Sequence, residues 1–412
     1  MTLNRNATLH VVAAAYGLSS MGDQMAVISL TLRFHHQGRS GVAISAIIMA
    51  TLIPVVIVGP LLAPILDRME TRRLIVAVNA LQAIAATWLS LAESDALIIG
   101  LLALLGAGLA VNTPALQLLV PQITEDEEAS KGYARLESFR ACGNAAGPAL
   151  AGIVVAATNE RVPLLANAGS FATMTLAFAC LPIRRPPVLA TRMGASWSTQ
   201  VRQGFSILAG DRILRSAIVT LACVIIFASI LSVAWVFFTR DDLHASDTGY
   251  GLLVTAHTFG MLLGSATLAH RIPLPWQSRV LVGSGALMGC SLIGSASIPV
   301  FPVALAGFTL TGIAQALQIL TIRNLIHGRI PNEVRGRAFA FSGSILNGAF
   351  LAGAALGGPV TALLGGAGAL QLAGVGALTA TLITAPLLVK RSAPAAEAIS
   401  VVEASDTGES NN

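Results

Sequence analysis

The chain has 412 residues, of which 54% are hydrophobic and only 11% charged, with a mean hydropathy of +0.74 and a formal net charge of +5. Soluble domains carry about a quarter of their residues as charges, so this composition excludes a water-soluble globule, a disordered chain, a collagen and a disulfide-knotted secreted scaffold. No basic tract is interleaved with aromatics, so the positive charge does not indicate a nucleic-acid partner.

Charges and turn residues interrupt the apolar sequence at intervals that predict twelve spans: 9–32, 41–66, 74–92, 96–119, 138–158, 162–182, 216–239, 249–269, 280–298, 302–325, 338–364 and 368–389. About 20 apolar residues cross the hydrocarbon core as a helix. The runs lack period-2 alternation, so they predict helices and not a closed barrel. A single basic residue, Arg5, precedes the first span without a small-residue cleavage site, and that span is read as retained. Cys142, Cys180, Cys223 and Cys290 lie far apart inside apolar stretches without metal-ligand spacing, and are expected to be buried thiols.

Twelve spans put both termini on one side of the membrane. That side carries 21 of the 25 Lys and Arg residues, whereas Arg33, Arg39, Arg161 and Arg240 fall on the other. This asymmetry makes both termini cytoplasmic. The domain reading is an N-terminal six-helix bundle at 1–182, a cytoplasmic linker and lead-in at 183–215, a C-terminal six-helix bundle at 216–391, and a small, polar, acidic tail at 392–412 that is expected to be disordered.

A charge at membrane depth is costly, so it is a functional candidate unless its side chain can snorkel. Asp23 is the acidic residue deepest in a span, and with its neighbour Gln24 it is the candidate for proton coupling or for anchoring a cationic substrate. Tyr16 shares its helical face. His257 in the eighth span is a second titratable candidate.

Two motifs resemble those of a known family, and an internal repeat supports a chain of two halves. "GPLLAPILDRMETRRLI" (59–75) contains Asp67, Arg68, Arg72 and Arg73 in the arrangement of the loop between the second and third helices of major facilitator superfamily transporters, with Ala63 where the family has Gly. "GNAAGPALAG" places Gly143, Gly147, Pro148 and Gly152 in a pattern similar to the fifth-helix motif of the family's drug exporters. "LLVPQITEDEEASKGYARLESF" is echoed by "LIHGRIPNEVRGRAFAFSGS", with Pro121 and Pro331 separated by 210 residues. "RIPNEVRGRAFA" and "GFSILAGDRILRSAI" further resemble the macrolide-efflux and enterobactin-exporter-like subgroup.

The resemblance implies an all-α integral membrane fold of twelve transmembrane helices in two pseudo-symmetric six-helix bundles. It also implies a gating loop formed by Asp67, Arg68, Arg72 and Arg73, and a cavity lined by the first, fourth, seventh and tenth helices. On those helices Tyr16, Asn112, Gln117, Ser232, Trp235, Gln315 and Gln318 are the candidate substrate contacts.

The function expected is export of a small organic molecule (an antibiotic, toxicant or siderophore) by proton antiport and alternating access, in the bacterial inner membrane and by a monomer. A nutrient importer or a non-transporting receptor on the same fold is the alternative. No phosphate loop, HExxH motif or ligand cluster points to an enzyme, cofactor or metal.

Overall fold

The computed structural model describes residues 5–124, 129–181, 210–268, 272–273 and 276–389. Residues 183–209 of the expected linker and the tail 392–412 lie outside the described residues. Among the described residues there is no strand. The helices are α1 (Arg5–His36), α2 (Gly41–Arg68), α3 (Thr71–Leu91), α4 (Asp95–Ile123), α5 (Ala129–Ala157), α6 (Arg161–Cys180), α7 (Arg212–Ser229), α8 (Leu231–Phe237), α9 (Asp247–Leu268), α10 (Gln277–Ser297), α11 (Phe301–Arg329) and α12 (Asn332–Val389).

α8 follows α7 after Ile230 and runs into a π-helical turn, Phe238–Asp242, so Arg212–Asp242 forms one span. α12 is two helical arms joined at Gly365, whose φ of 73° and ψ of −177° fall in a region open essentially to glycine alone. With these two readings the helices supply the twelve predicted spans. Among the described residues eight helices are long and apolar enough to cross a membrane. α1 falls short of that measure because Ser19, Ser20, Asp23 and Gln24 interrupt its apolar run.

The chain divides into two compact units. The first takes the described residues of 1–194 with 232–258 and 354–367, and the second takes those of 195–231, 259–353 and 368–412. In the first unit, Met25, Leu30, Leu89 and Phe171 anchor one apolar cluster, and Leu9, Leu116, Leu119 and Phe178 anchor another. Segment 354–367 joins this unit through Ser45, whose hydroxyl donates to the Ala354 carbonyl (2.7 Å). In the second unit, Leu214, Leu281, Ile322 and Leu388 form the principal cluster.

Lipid tails are as apolar as leucine, so helix association relies on close packing at small residues. A Cβ added at Gly143 would lie 2.1 Å from the Gly17 carbonyl oxygen, which sets α5 backbone against α1 backbone. In the second unit Gly353, which follows Gly143 by the same 210 residues that separate Pro121 and Pro331, stands in the same relation to the Ile226 carbonyl of α7, also at 2.1 Å. A second pair repeats with the residue types exchanged. Gly106 of α4 meets the Thr51 carbonyl of α2, and Gly260 of α9 meets the Thr309 carbonyl of α11, each at 2.1 Å. At Gly143 and Gly353 the sequence repeat is therefore also a repeat of helix contact.

The cysteines correct an expectation. Cys142, Cys180 and Cys290 are exposed and Cys223 is half-buried. In a membrane protein an apolar side chain need not face the protein interior, because lipid solvates it equally well.

The start of α7 shows how a helix end outside the apolar spans is held. The Asp211 carboxylate accepts from the backbone N–H groups of Ile213 (2.8 Å) and Leu214 (2.9 Å), and it meets Arg329 Nη1 at 3.1 Å. Burial pushes this carboxyl up, but the backbone bonds and the Arg329 guanidinium outweigh burial and hold it below its ordinary value. A carboxyl held low in the folded state adds stability that is fully present above its unfolded value of about 3.9 and is lost as pH falls through the folded value. Asp211→Ala is therefore expected to cost about 1 kcal/mol at pH 7. The difference in Tm from the parent protein, measured in detergent, should shrink toward zero as the buffer is taken below about pH 4.

Candidate functional site

The polar strip of α1 faces three helices of the first unit. Gly22 lets α1 approach α6 so closely that an added Cβ would lie 2.6 Å from both Asn167 Oδ1 and Ser170 Oγ. The next residue, Asp23, is half-buried and shares a side-chain hydrogen bond with Asn167. Asn167 is only 1% exposed, and Ser170 Oγ donates to its side-chain Oδ1 at 3.2 Å, so the amide that holds Asp23 is itself held. Among the described residues Asp23 has no ion-pair partner. Neither Asn167 nor Ser170 is a candidate in the sequence reading. The available signal was a carboxamide in the middle of the apolar run 162–182.

Gln24 and Tyr16 extend the strip. Gln24 packs against the fifth-helix motif, for a Cβ on Gly147 would come within 2.7 Å of Gln24 Cβ and 2.8 Å of the Met21 carbonyl. Tyr16 hydrogen-bonds Thr113 of α4 and lies in the field of Arg140 and Glu137. Those two residues form a charge-assisted pair, with Arg140 Nη2 2.6 Å from Glu137 Oε2. The far end of the same motif meets α9, because the Pro148 carbonyl would be 2.3 Å from a Cβ on Gly251 and the Asp247 carbonyl 2.5 Å from one on Gly152. Gly143, Gly147, Pro148 and Gly152 thus form one seam that runs from α1 to α9.

Trp235 and His257 come together, their rings edge to face at 5.1 Å and 90°. Ser232, one turn before Trp235, is half-buried. Thr255 Oγ1 donates to the Ala145 carbonyl at 3.2 Å and ties this part of α9 to α5.

Asn112 departs from its expected role as a cavity residue. It is 6% exposed and sits between α3 and α4, where its Nδ2 donates to Gln82 Oε1 (2.8 Å) and its Oδ1 accepts from Asn79 Nδ2 (3.0 Å). The physical reason is that an amide surrounded by apolar side chains satisfies itself on the nearest amides before it can face a substrate. Asn112→Leu would leave the Asn79 and Gln82 side-chain oxygens short of a donor, while their own N–H groups keep the Ile75 and Leu105 carbonyls. The expected result is a stability loss of about 1–2 kcal/mol with cargo KM unchanged, read by thermal unfolding in detergent and by transport in liposomes.

Gln117 is exposed, and its backbone carbonyl accepts from Tyr133 Oη at 3.2 Å. In the second unit Gln315 is half-buried, whereas Gln318 is 1% exposed and its Nε2 has no acceptor among the described residues. Of the gating loop, Arg72 donates from Nε to the Phe178 carbonyl (2.8 Å) and from Nη2 to that of Ala179, which places a cation on the carbonyl end of α6. Arg73 pairs with Glu70 at 2.7 Å on the surface. The side chains of Asp67 and Arg68 lie outside the described residues.

The architecture and this seam can be set beside known proteins. The sequence profile described as Major Facilitator Superfamily matches residues 12–239 and 217–407. The chain belongs to the major facilitator superfamily. As a member it is a multi-pass membrane transporter of small-molecule substrates and not an enzyme. Macrolide efflux protein A of Streptococcus pyogenes is 20% identical over 344 residues, which cover 78% of this chain and 82% of the relative. Among solved structures, the nucleoside transporter NupG superposes with a TM-score of 0.73 at 12% identity, covering 94% of this chain and 98% of its own. A bacterial homologue of the human lysosomal transporter Spinster gives 0.68 at 15% identity, with coverage of 94% and 95%. A POT family transporter in complex with 5-aminolevulinic acid gives 0.70 at 14%, with coverage of 91% and 94%. At these identities the superpositions establish the fold of this major facilitator superfamily member.

Proposed function

We propose that this transporter exports a small amphipathic organic molecule (an antibiotic, toxicant or siderophore) across the bacterial cytoplasmic membrane in exchange for protons, working as a monomer with both termini in the cytoplasm. The observation that carries the reading is Asp23, a carboxylate well inside α1 that is held by the neutral amide of Asn167 and has no ion-pair partner among the described residues. A carboxylate at the centre of a membrane helix costs on the order of 2.5–3.5 kcal/mol on insertion scales. A proton relieves that cost, and so does a cationic group on the cargo. One site that takes either of two ligands but not both yields exchange, provided each ligand favours a different state of the protein.

Export is supported by the Gly143–Gly147–Pro148 motif and by the relative named for macrolide efflux. The orientation rests on the 21 to 4 distribution of basic residues.

The test uses purified protein in liposomes with an imposed pH gradient and a trapped pH-sensitive dye, offered macrolides and siderophores in turn. Cargo moving against proton flow, with a proton flux that requires cargo, is the expected outcome. Cargo and protons moving in the same direction would identify an importer, and cargo movement without proton flux would end the antiport reading.

A further inference from the structure

The end of α1 opposite its N-terminus carries two histidines that the coupling reading does not use. His36 is gripped on both sides, with Nδ1 2.7 Å from Glu160 Oε1 at the start of α6 and Nε2 3.0 Å from Asp247 Oδ1 at the start of α9. A neutral imidazole has one donor nitrogen and one acceptor nitrogen, and an ionised carboxylate only accepts. Both contacts are attractive together only when the ring carries two protons. His35 makes no such demand, since only its Nε2 meets a carboxylate, Asp241 at 2.9 Å, while its Nδ1 has no partner among the described residues.

We propose that His36 is a second proton-binding site of the transporter, separate from Asp23, at which a proton taken from the water facing that end of α1 latches α1 to α6 and α9. The placement of that water outside the cell, and only that, rests on the orientation proposed above.

The surrounding charges agree with a bound proton. A cavity of about 450 Å³ borders His36 and brings water to it, with Arg33, Glu93 and Arg161 on its walls. The turn before α9 adds Arg240, 3.5 Å from Asp247, and Asp241. Four carboxylates (Glu93, Glu160, Asp241 and Asp247) stand among three guanidiniums (Arg33, Arg161 and Arg240), and Asp242 and His244 follow in the same turn, so the acidic groups around His36 outnumber the guanidiniums and favour a positive charge on it. Burial pushes the Glu160 carboxyl up, but His36, its own backbone N–H and Arg33 together hold it below its ordinary value. Glu160 therefore stays ionised through the range in which an ordinary imidazole gains its proton. His36, Glu160 and Asp247 are 31%, 27% and 15% exposed, open enough to exchange protons with water and closed enough to keep their geometry.

The experiment reads the latch without cargo or gradient, so its result is independent of whether Asp23 couples transport. Thr31 lies one turn before His35, is 2% exposed, and hydrogen-bonds Tyr250 of α9. In protein whose four native cysteines are replaced by alanine, Thr31→Cys is reconstituted and treated with a membrane-impermeant maleimide. Rates are divided by those of the exposed control Ile298→Cys, which lies outside the His36 cavity, to remove the intrinsic pH dependence of thiols.

The normalised rate should rise about tenfold or more between about pH 5.5 and about pH 8 on the reagent's side. His36→Gln should label fast at every pH. Asp247→Asn, which gives a neutral ring an N–H to accept from, should label slowly at every pH. A normalised rate independent of pH in the parent, or a pH dependence that survives His36→Gln, overturns the proposal. Dependence on the pH of the opposite compartment overturns the placement of the site while leaving the antiport test untouched.

Discussion

Asp23→Asn protein should fail to concentrate its cargo against a proton gradient, and it should bind a cationic cargo more weakly because the carboxylate that faces the cation is gone. Asparagine has nearly the volume of aspartate and keeps a hydrogen-bonding side chain for Asn167, so the α1–α6 contact at Gly22 survives and the variant should fold. What disappears is the capacity to exist in charged and neutral forms. Coupling between two ligands through one protein is typically worth about 1–3 kcal/mol, or about 5- to 150-fold in affinity. The expected fall in gradient-driven export is of that size, while counterflow of labelled against unlabelled cargo, which needs no proton, continues at cargo concentrations high enough to fill the weakened site. If gradient-driven export by Asp23→Asn matched that of the parent protein, Asp23 would be a packing residue whose amide partner merely satisfies it.

The second large effect belongs to the seam between α1 and α5. A Cβ at Gly143 meets the Gly17 carbonyl at 2.1 Å, and an ordinary contact needs more than about 3.4 Å. Both sides of this contact are backbone, so no side chain can rotate away and the helices themselves have to separate. Overpacking of this kind costs about 1–3 kcal/mol and occasionally more. Gly143→Ala is expected to cost about 2 kcal/mol, and Gly143→Val more, because its two methyl groups cannot both avoid α1.

Gly100 is the control, since nothing lies within 4 Å of a Cβ built there, and it is exposed on α4. Gly100→Ala should be neutral, or stabilising by up to about 1 kcal/mol from helix propensity alone. The three variants, ranked by melting temperature in detergent, separate close approach from propensity. Equal behaviour of Gly100→Ala and Gly143→Ala would show that the seam yields more readily than backbone contact allows.

The helical spans were legible because hydrocarbon imposes one requirement on every stretch of about 20 residues, and that requirement is local. The repeat was legible at Pro121 and Pro331, and the contacts at Gly143 and Gly353 show the physical basis of that spacing. Asp23 could be singled out because a carboxylate in an apolar run is anomalous by itself. Its partner could not, because Asn167 is one of several neutral amides in the spans and nothing local says which faces which.

The same ambiguity applies to Asn112, which the family resemblance assigned to a cavity and whose side chain bonds Asn79 and Gln82 in the fold. The clamp at His36 was beyond reach for a further reason. Its two carboxylates lie 124 and 211 residues away in the chain, and as local sequence they look like ordinary helix starts.

The dependence of Asp23 on Asn167 also bears on how the chain is made. About 140 residues separate the two, so at 5–20 residues per second the ribosome delivers α6 roughly 7–30 s after α1. Throughout that interval the nascent first helix carries a carboxylate whose hydrogen-bonding amide, Asn167, has not yet been synthesised. α1 is thus the segment whose lodging in the bilayer is provisional, and it should remain beside the translocon or an insertase until the hairpin that ends in α6 arrives. Ribosome-stalled chains that stop before residue 160 should cross-link to that machinery through α1, and chains that extend past α6 by the length of the exit tunnel should release it.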